Sequence, residues 1–392
     1  MSFVKQSLRA GIFAAMGCLL AGASNAEDNW SILPSIKQDM YWQTNPLLLS
    51  TGHKTLYGSV TTPQLMVVDN TPTIKFDAKL SLNENIFNIS GFDSTDLHSK
   101  IDFDKKLERW EAGFTEQSDY DTTRTSEITT FNNNTLGSIR HLGNSVSPMI
   151  AFTPTATDKL SLIGNFTKSQ YYSAGFSDYH IYGVTPQYEY SYNQLNKISL
   201  SVQMQRYETD SGPDATVDSI GPMLGWTAIL TPNWTAKVAA GAQTYRQQSS
   251  ATTTANQDWK WQGIFTADLS HKSEQDTLDL SAVRALQPYA NGTEYFLNTL
   301  SLSDAHDINK LFSTTVNASY QFADSNHQGN NLKALISAGA GLAYHATPNF
   351  DVTASYAFRD QELTNIPGNQ NDHLVTVGLV FRPILSTLSE GK

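Results

Sequence analysis

Along most of the chain, apolar and polar residues alternate with a period of two. From Thr73 to Asn83, Ile74, Phe76, Ala78, Leu80 and Leu82 fall on one face, and Lys75, Asp77, Lys79 and Ser81 on the other. The stretch from Lys197 to Gln205 sets Ile198, Leu200, Val202 and Met204 against Ser199, Ser201, Gln203 and Gln205. Phe350 to Arg359 sets Phe350, Val352, Ala354, Tyr356 and Phe358 against Asp351, Thr353, Ser355 and Arg359. A helix would smear both sets around its surface, whereas a strand separates them.

Short polar breaks punctuate this pattern near 69–72, 104–106, 155–158, 193–196, 231–233, 271–274, 306–309 and 347–349. Looser polar stretches lie between them at 43–57, 86–96, 118–142, 170–178, 207–216, 246–257, 287–293, 324–330 and 361–371. Tight turns at one end and longer loops at the other describe an up-and-down antiparallel barrel. The intervals predict an all-β, transmembrane barrel of about 18 strands, with 16 as the next count, since an even number puts both termini on the short-turn side. A weak repeat accompanies the hairpins: Thr62-Pro63, Ser147-Pro148, Thr185-Pro186 and Gly221-Pro222 each precede alternation and then a tight turn. Proline inside a strand removes a ladder hydrogen bond, so its recurrence predicts bulges that bend the wall.

Composition favours one barrel over several soluble domains. Of the 392 residues, 16% are charged and 11% aromatic, against the ~25% charged residues of ordinary soluble domains. Beyond the N-terminus no run approaches the roughly 20 apolar residues of a membrane helix, so any crossing must use strands. The N-terminus reads as a secretion signal: Lys5 and Arg9 precede the apolar run from Ile12 to Ala23, and Ser24-Asn25-Ala26 supplies small residues for cleavage before Glu27. The expected organisation is a signal peptide over 1–26 and a barrel over 27–392. Cys18, the only cysteine, lies in that signal, and Ala15-Met16-Gly17 is a poor lipidation context. The processed chain would then have no disulfide, which suits passage through an oxidising periplasm. The net charge of −11 disfavours nucleic acid as a partner.

A soluble sandwich also alternates, and three further features favour the membrane reading. The last alternating segment contains Thr376-x-Gly378-Leu379-x-Phe381, the pattern of polar, any, glycine, apolar, any, aromatic by which barrel-assembly machinery captures a final strand; Arg382 to Lys392 follow it, where such signals usually end. Trp110, Trp226, Trp234, Trp259, Trp261, Tyr41, Trp42 and Tyr344 fall near strand ends and suit two interfacial girdles. The faces opposite the apolar rows are rich in Ser, Thr, Gln, Asn, Lys and Asp, which would line an aqueous lumen. The charged members of those faces are Lys75, Asp77, Lys79, Glu111, Lys237, Lys260, Asp268, Asp351 and Arg359. They would either line the lumen with weak ion selectivity or pair across the wall and stiffen it.

At Phe92-Asp93-Ser94-Thr95-Asp96, Trp110 to Phe114 and Asp121-Thr122-Thr123-Arg124-Thr125-Ser126-Glu127, the chain resembles a loose, largely uncharacterised group of bacterial outer-membrane β-barrel porins. Some of these accompany exopolysaccharide production and export. The resemblance implies an outer-membrane barrel, with polysaccharide export components among its partners, and assigns no catalytic residue.

No constellation points to catalysis, a cofactor or a metal. Asp324-Ser325-Asn326-His327-Gln328-Gly329-Asn330 has the letters of an outer-membrane phospholipase site in the wrong order, on an expected loop. The nine histidines have no ligand spacing. Alternation begins near Ser31, leaving no room for the large N-terminal plug of a TonB-dependent transporter. The longest loop, 118–142, is expected to cap the outside of the barrel. The rival expectation folds it inward, so that Asp119, Asp121, Arg124, Glu127 and Arg140 set the field of a constriction. The function expected is a porin-like channel for small hydrophilic solutes or glycans in the outer membrane of a Gram-negative bacterium. The alternatives are a non-conducting accessory barrel in exopolysaccharide export or surface anchoring, and, less favoured, an outer-membrane enzyme. Outer-membrane lipid and the assembly machinery are the partners this implies.

Overall fold

The computed structural model describes residues 30–126, 139–173, 176–210, 215–249, 258–289, 293–323, 332–363 and 366–383. The expected signal peptide, Glu127 and the segment from Asp324 to Asn330 lie outside these residues. Eighteen strands, each antiparallel to its neighbours, follow one another around a closed sheet. They are β1 (Trp30–Gln43), β2 (Leu56–Asn70), β3 (Ile74–Phe87), β4 (Ser94–Lys106), β5 (Trp110–Thr122), β6 (Arg140–Phe152), β7 (Asp158–Tyr171), β8 (Tyr179–Ser191) and β9 (Asn196–Thr209), then β10 (Ala215–Thr231), β11 (Trp234–Ser249), β12 (Lys260–Lys272), β13 (Asp276–Tyr289), β14 (Thr293–Asp307), β15 (Phe312–Ala323), β16 (Leu332–Thr347), β17 (Phe350–Leu363) and β18 (Ile366–Phe381). A helical turn, α1 (Thr123–Ser126), follows β5. Pairing of β1 with β18 closes the ring. No helix of the described residues is long and apolar enough to cross a membrane; the strands do so.

Closure decides which face is which. Met40, Leu200, Leu224, Leu300 and Val377 are each at least half exposed, together with rows of Ile, Leu and Val on nearly every strand. Such an apolar belt has no place on a water-soluble protein, and a closed barrel leaves no unpaired strand edge in lipid. The belt therefore faces lipid, and the opposite residues face the lumen. Trp110, Trp226 and Tyr344 lie on this belt toward the short-turn end, and Trp42, Trp259 and Trp261 toward the loop end. Tyr41 departs from the expected girdle. It alternates with Met40 and Trp42, so it points inward, where its ring meets that of Phe87 edge-on at 5.5 Å.

The prolines also depart from expectation. The β2–β3 ladder skips from Thr61↔Glu84 to Gln64↔Ser81 around Pro63, and the β6–β7, β8–β9 and β10–β11 ladders are likewise interrupted at Pro148, Pro186 and Pro222. The register is the same on both sides of each gap, so no residue is inserted and no bulge forms. The missing N–H merely opens the ladder locally. Register shifts occur elsewhere, as between His345 and Thr347.

One interstrand seam is short. The β12–β13 ladder ends at Phe265↔Arg284, although β12 continues to Lys260 and β13 to Tyr289. Arg284 clasps the split: its Nε donates to the Gly263 carbonyl at 3.0 Å, Nη2 to Gln262 Oε1 at 3.2 Å and Nη1 to Asn298 Oδ1 at 2.9 Å.

Candidate functional site

Strand order fixes the ends. The turns joining β2 to β3, β4 to β5 and onward are two to five residues long, so this is the periplasmic end; the opposite connections, which vary from two residues to the 17 between β5 and β6, form the outer mouth. With an even strand number and a lipid-facing belt, the chain is an outer-membrane β-barrel.

All nine charged residues read from the alternation carry the inward register, opposite the exposed apolar rows, but they fall into two groups. Lys75, Asp77, Lys79, Lys237, Lys260 and Asp268 are exposed, so they reach water inside the ring. Lys237 and Asp268 face each other across the β11–β12 ladder. The other three are engaged by neighbours. Glu111 accepts from Lys159 Nζ at 2.5 Å. Asp351 is 3% exposed and is held by His345 at 2.9 Å and by Arg382. Arg359 donates to Asp372 through Nη2 at 2.6 Å and Nε at 3.2 Å.

The outer half of the lumen is not uniformly polar, contrary to the expectation of a polar lining throughout. On the side of β8 to β14, Ile181, Tyr207, Val217, Met223, Tyr245 and Ile264 point inward and pack with Leu286 and Phe296 into one buried cluster. The signal for it was in the sequence. At Tyr179 to Tyr182, and again at Met223-Leu224 and Ile264-Phe265, both faces of the strand carry apolar side chains, which a barrel with water along its full length would not need.

The side from β17 through β5 carries charge instead. Asp372 is fully buried and accepts from Gln43 Nε2 at 2.6 Å, the Asn45 N–H at 2.8 Å and Thr44 Oγ1 at 3.4 Å, as well as from Arg359. This ties the end of β1 to the start of β18. Asp96, 1% exposed, accepts from Arg140 Nη1 at 2.7 Å and Asn85 Nδ2 at 2.8 Å. Asp119 bonds the His98 ring at 2.7 Å.

Between these pairs lies Arg124 on α1. The strands run further than the 118–142 loop anticipated, β5 to Thr122 and β6 from Arg140, and the chain then turns inward at Thr123, which is fully buried. The Arg124 guanidinium stacks over Phe87 at 5.3 Å and Phe92 at 5.8 Å, with the Tyr41 hydroxyl beside it. The described beginning of the loop thus packs against inward-facing Phe87, and residues 127–138, on which the expectation of an outside cap chiefly bears, lie outside the described residues. Burial pulls the Arg124 guanidinium below its ordinary value; Tyr41 and Asp96 oppose this, and nearby Arg359 adds to it. Arg124 and Arg140 were legible as loop charges. Tyr41, Asp96 and Asp372 were not, because nothing in a linear sequence says that strand ends as far apart as Tyr41 and Asp372 meet.

In the final strand, Leu379 and Phe381 point to lipid, and Thr376 and Gly378 point inward, paired with Tyr41 and Asp39. A Cβ on Gly378 would stand 2.0 Å from Asp39 Oδ1 and 2.8 Å from Thr353 Oγ1. Glycine here makes room for a carboxylate, whatever the assembly machinery recognises. Gly378→Ala should lower the yield of folded barrel, and Asp39→Ala in the same chain should restore it. Gel migration before boiling reads this out, and no recovery in the double variant would transfer the glycine requirement to recognition.

No protein-family model and no curated protein sequence matches the chain. Among solved structures it is similar to the outer membrane channel DcaP of Acinetobacter baumannii, at 11% identity over 92% of this chain and 99% of that one, TM-score 0.45. It is similar to OccK2 (OpdF) of Pseudomonas aeruginosa at 9% identity over 90% and 98%, TM-score 0.46. The ferric citrate transporter FecA gives 12% identity over 84% of this chain and 60% of that one, TM-score 0.44. At these values the likenesses assign neither family nor cargo.

Proposed function

We propose that the protein is a porin-like channel that lets small hydrophilic solutes cross the outer membrane, exported by the signal at 1–26 and acting by passage rather than catalysis. The observation that carries this is the exposure of inward-facing Lys75, Asp77, Lys79, Lys237, Lys260 and Asp268. Charged side chains persist in a closed ring only where water reaches them or partners neutralise them, and these six reach water. Glycans belong to the same solute class, and the sequence resemblance to exopolysaccharide-associated barrels is the support for them. Thr376, Gly378, Leu379 and Phe381 are the proposed handle for the assembly machinery.

Reconstitution into a planar bilayer tests the channel. Discrete, ohmic current steps are expected, with weak selectivity because the six inward charges comprise four lysines and two aspartates. A barrel that inserts, as judged by protease protection, yet passes no current would contradict the proposal. That outcome belongs to the second reading, a non-conducting accessory barrel in polysaccharide export or surface anchoring, which the buried apolar cluster on the β8–β14 side of the mouth favours. If both features operate, the charged side from β17 to β5 is the conducting path, and deleting 126–136 should raise conductance.

A further inference from the structure

We propose that Arg124, with Arg359 and the Tyr41 hydroxyl, forms a binding site for an oxyanion, the carboxylate or phosphate of a solute, just inside the outer mouth. This deepens the channel reading, since it names the chemistry of what would pause there, and it rests on a lumen that solutes can enter.

Three observations converge on the site. First, Arg124 is 4% exposed, and among the described residues no carboxylate lies within ion-pair distance of it. The buried carboxylates nearby are already engaged, Asp96 by Arg140 at 2.7 Å, Asp372 by Arg359 at 2.6 Å and Asp121 by the His141 ring at 3.4 Å. An arginine cannot shed its proton to escape burial, and a buried charge without a counterion is costly. Second, both guanidinium groups keep donors in reserve. Arg124 Nε and Arg359 Nη1 are buried and have no hydrogen-bond partner. Third, the two arginines flank one stretch of β1: Arg124 lies over Phe87, whose ring meets Tyr41, and Arg359 holds Asp372, which also accepts from Gln43, two residues further along the same inward face. Arg359 is balanced by Asp372 and Arg124 is not, so an anion placed against Arg124 supplies its missing counter-charge and can also take the unused N–H of Arg359. The planar fork of a guanidinium matches carboxylate and phosphate oxygens. Phe87 and Phe92 cover the face of Arg124, which excludes water and strengthens a charge-assisted bond.

The inward register of Tyr41, Phe87 and Arg359 places the site on the lumen side, so the oxyanion arrives on a solute and not on a lipid headgroup outside the wall. Nothing in the site demands a second functional group on the ligand, which makes inorganic phosphate a sufficient probe.

The test reads binding directly and does not need the barrel to conduct. Folded full-length barrel in lipid-free detergent is titrated with inorganic phosphate by calorimetry. One saturable site is expected, weakened about tenfold or more in Arg124→Gln and in Arg359→Gln, as befits loss of a charge-assisted hydrogen bond. Arg124→Lys should bind with an affinity between those of the unaltered barrel and Arg124→Gln, because it keeps the charge and loses the fork. Phosphate should also slow modification of Arg124 by phenylglyoxal in the unaltered barrel, mapped by mass spectrometry, a readout that requires no variant to fold. Absence of saturable binding by the unaltered barrel, equal affinity in Arg124→Gln, or modification of Arg124 indifferent to phosphate would overturn the site. Phosphate binding by a barrel that passes no current would leave the site standing and remove the channel.

Discussion

An Asp372→Ala barrel is expected to lose its resistance to unfolding first at the junction of β1 and β18. That junction is paired over only Ile36↔Phe381 to Gln43↔Leu374, whereas β1 pairs with β2 along its whole length. Asp372 compensates at the outer end by taking hydrogen bonds from Gln43, Thr44, Asn45 and Arg359. Removing the carboxylate frees the Asn45 N–H and strands Arg359, whose side chain is 11% exposed. Breaking a buried pair by deleting one partner costs about 3–5 kcal/mol, and the nearby aqueous lumen places this case at the lower end. Asp372→Asn, which keeps the shape and part of the bonding, should cost less. The temperature at which the compact gel form gives way to the unfolded one orders the three proteins. Equal temperatures for Asp372→Ala and the unaltered chain would show that the seam is held by its ladder alone.

Gly241→Val is expected to prevent the barrel from forming. A Cβ at 241 would lie 2.0 Å from the Pro222 carbonyl oxygen and 2.9 Å from the Met223 Cα. Both obstacles are backbone of β10, so no rotamer change relieves them. Overpacking a core typically costs about 1–3 kcal/mol, and a clash with a fixed strand lies at or beyond the top of that range. Gly263, on the neighbouring strand, is the internal control: a Cβ there meets nothing within 4 Å, so Gly263→Ala should assemble normally. Membrane fractionation with heat-modifiable migration reads both. A folded Gly241→Val protein would mean that β10 and β11 separate at Pro222 more readily than their register suggests.

Much of this architecture was legible before any coordinates. Alternation such as Ile74 to Leu82 against Lys75 to Ser81 is a local property, and it survives folding because each strand sees lipid on one side and the lumen on the other. The turn rhythm gave the strand count for the same reason. What escaped was non-local. Tyr41 was read as a girdle aromatic from its nearness to a strand end, but its register, one step from Trp42, turns it inward toward Phe87. Pro63, Pro148, Pro186 and Pro222 were read as bulges, but a missing N–H opens a ladder without requiring an extra residue. Asp351 and Arg359 share the inward face with Lys75 and Lys79, yet alternation cannot say that His345, Arg382 and Asp372 lie beside them. At the outer mouth the inward path of α1 depends on Arg124 finding Tyr41 and Phe87, residues far away in the chain.

In a membrane barrel the side chains of neighbouring residues face different media, and Lys79 and Leu80 pose the question within a single step of chain. With Cys18 as the sole native cysteine, a Cys18→Ser background permits one thiol at a time to be placed at either position. In proteoliposomes, Lys79→Cys should react with a water-soluble maleimide and Leu80→Cys should stay silent until the vesicles are dissolved and the chain is denatured. Equal labelling of the two, or labelling of Leu80→Cys alone, would contradict a barrel with its apolar face in lipid and water within.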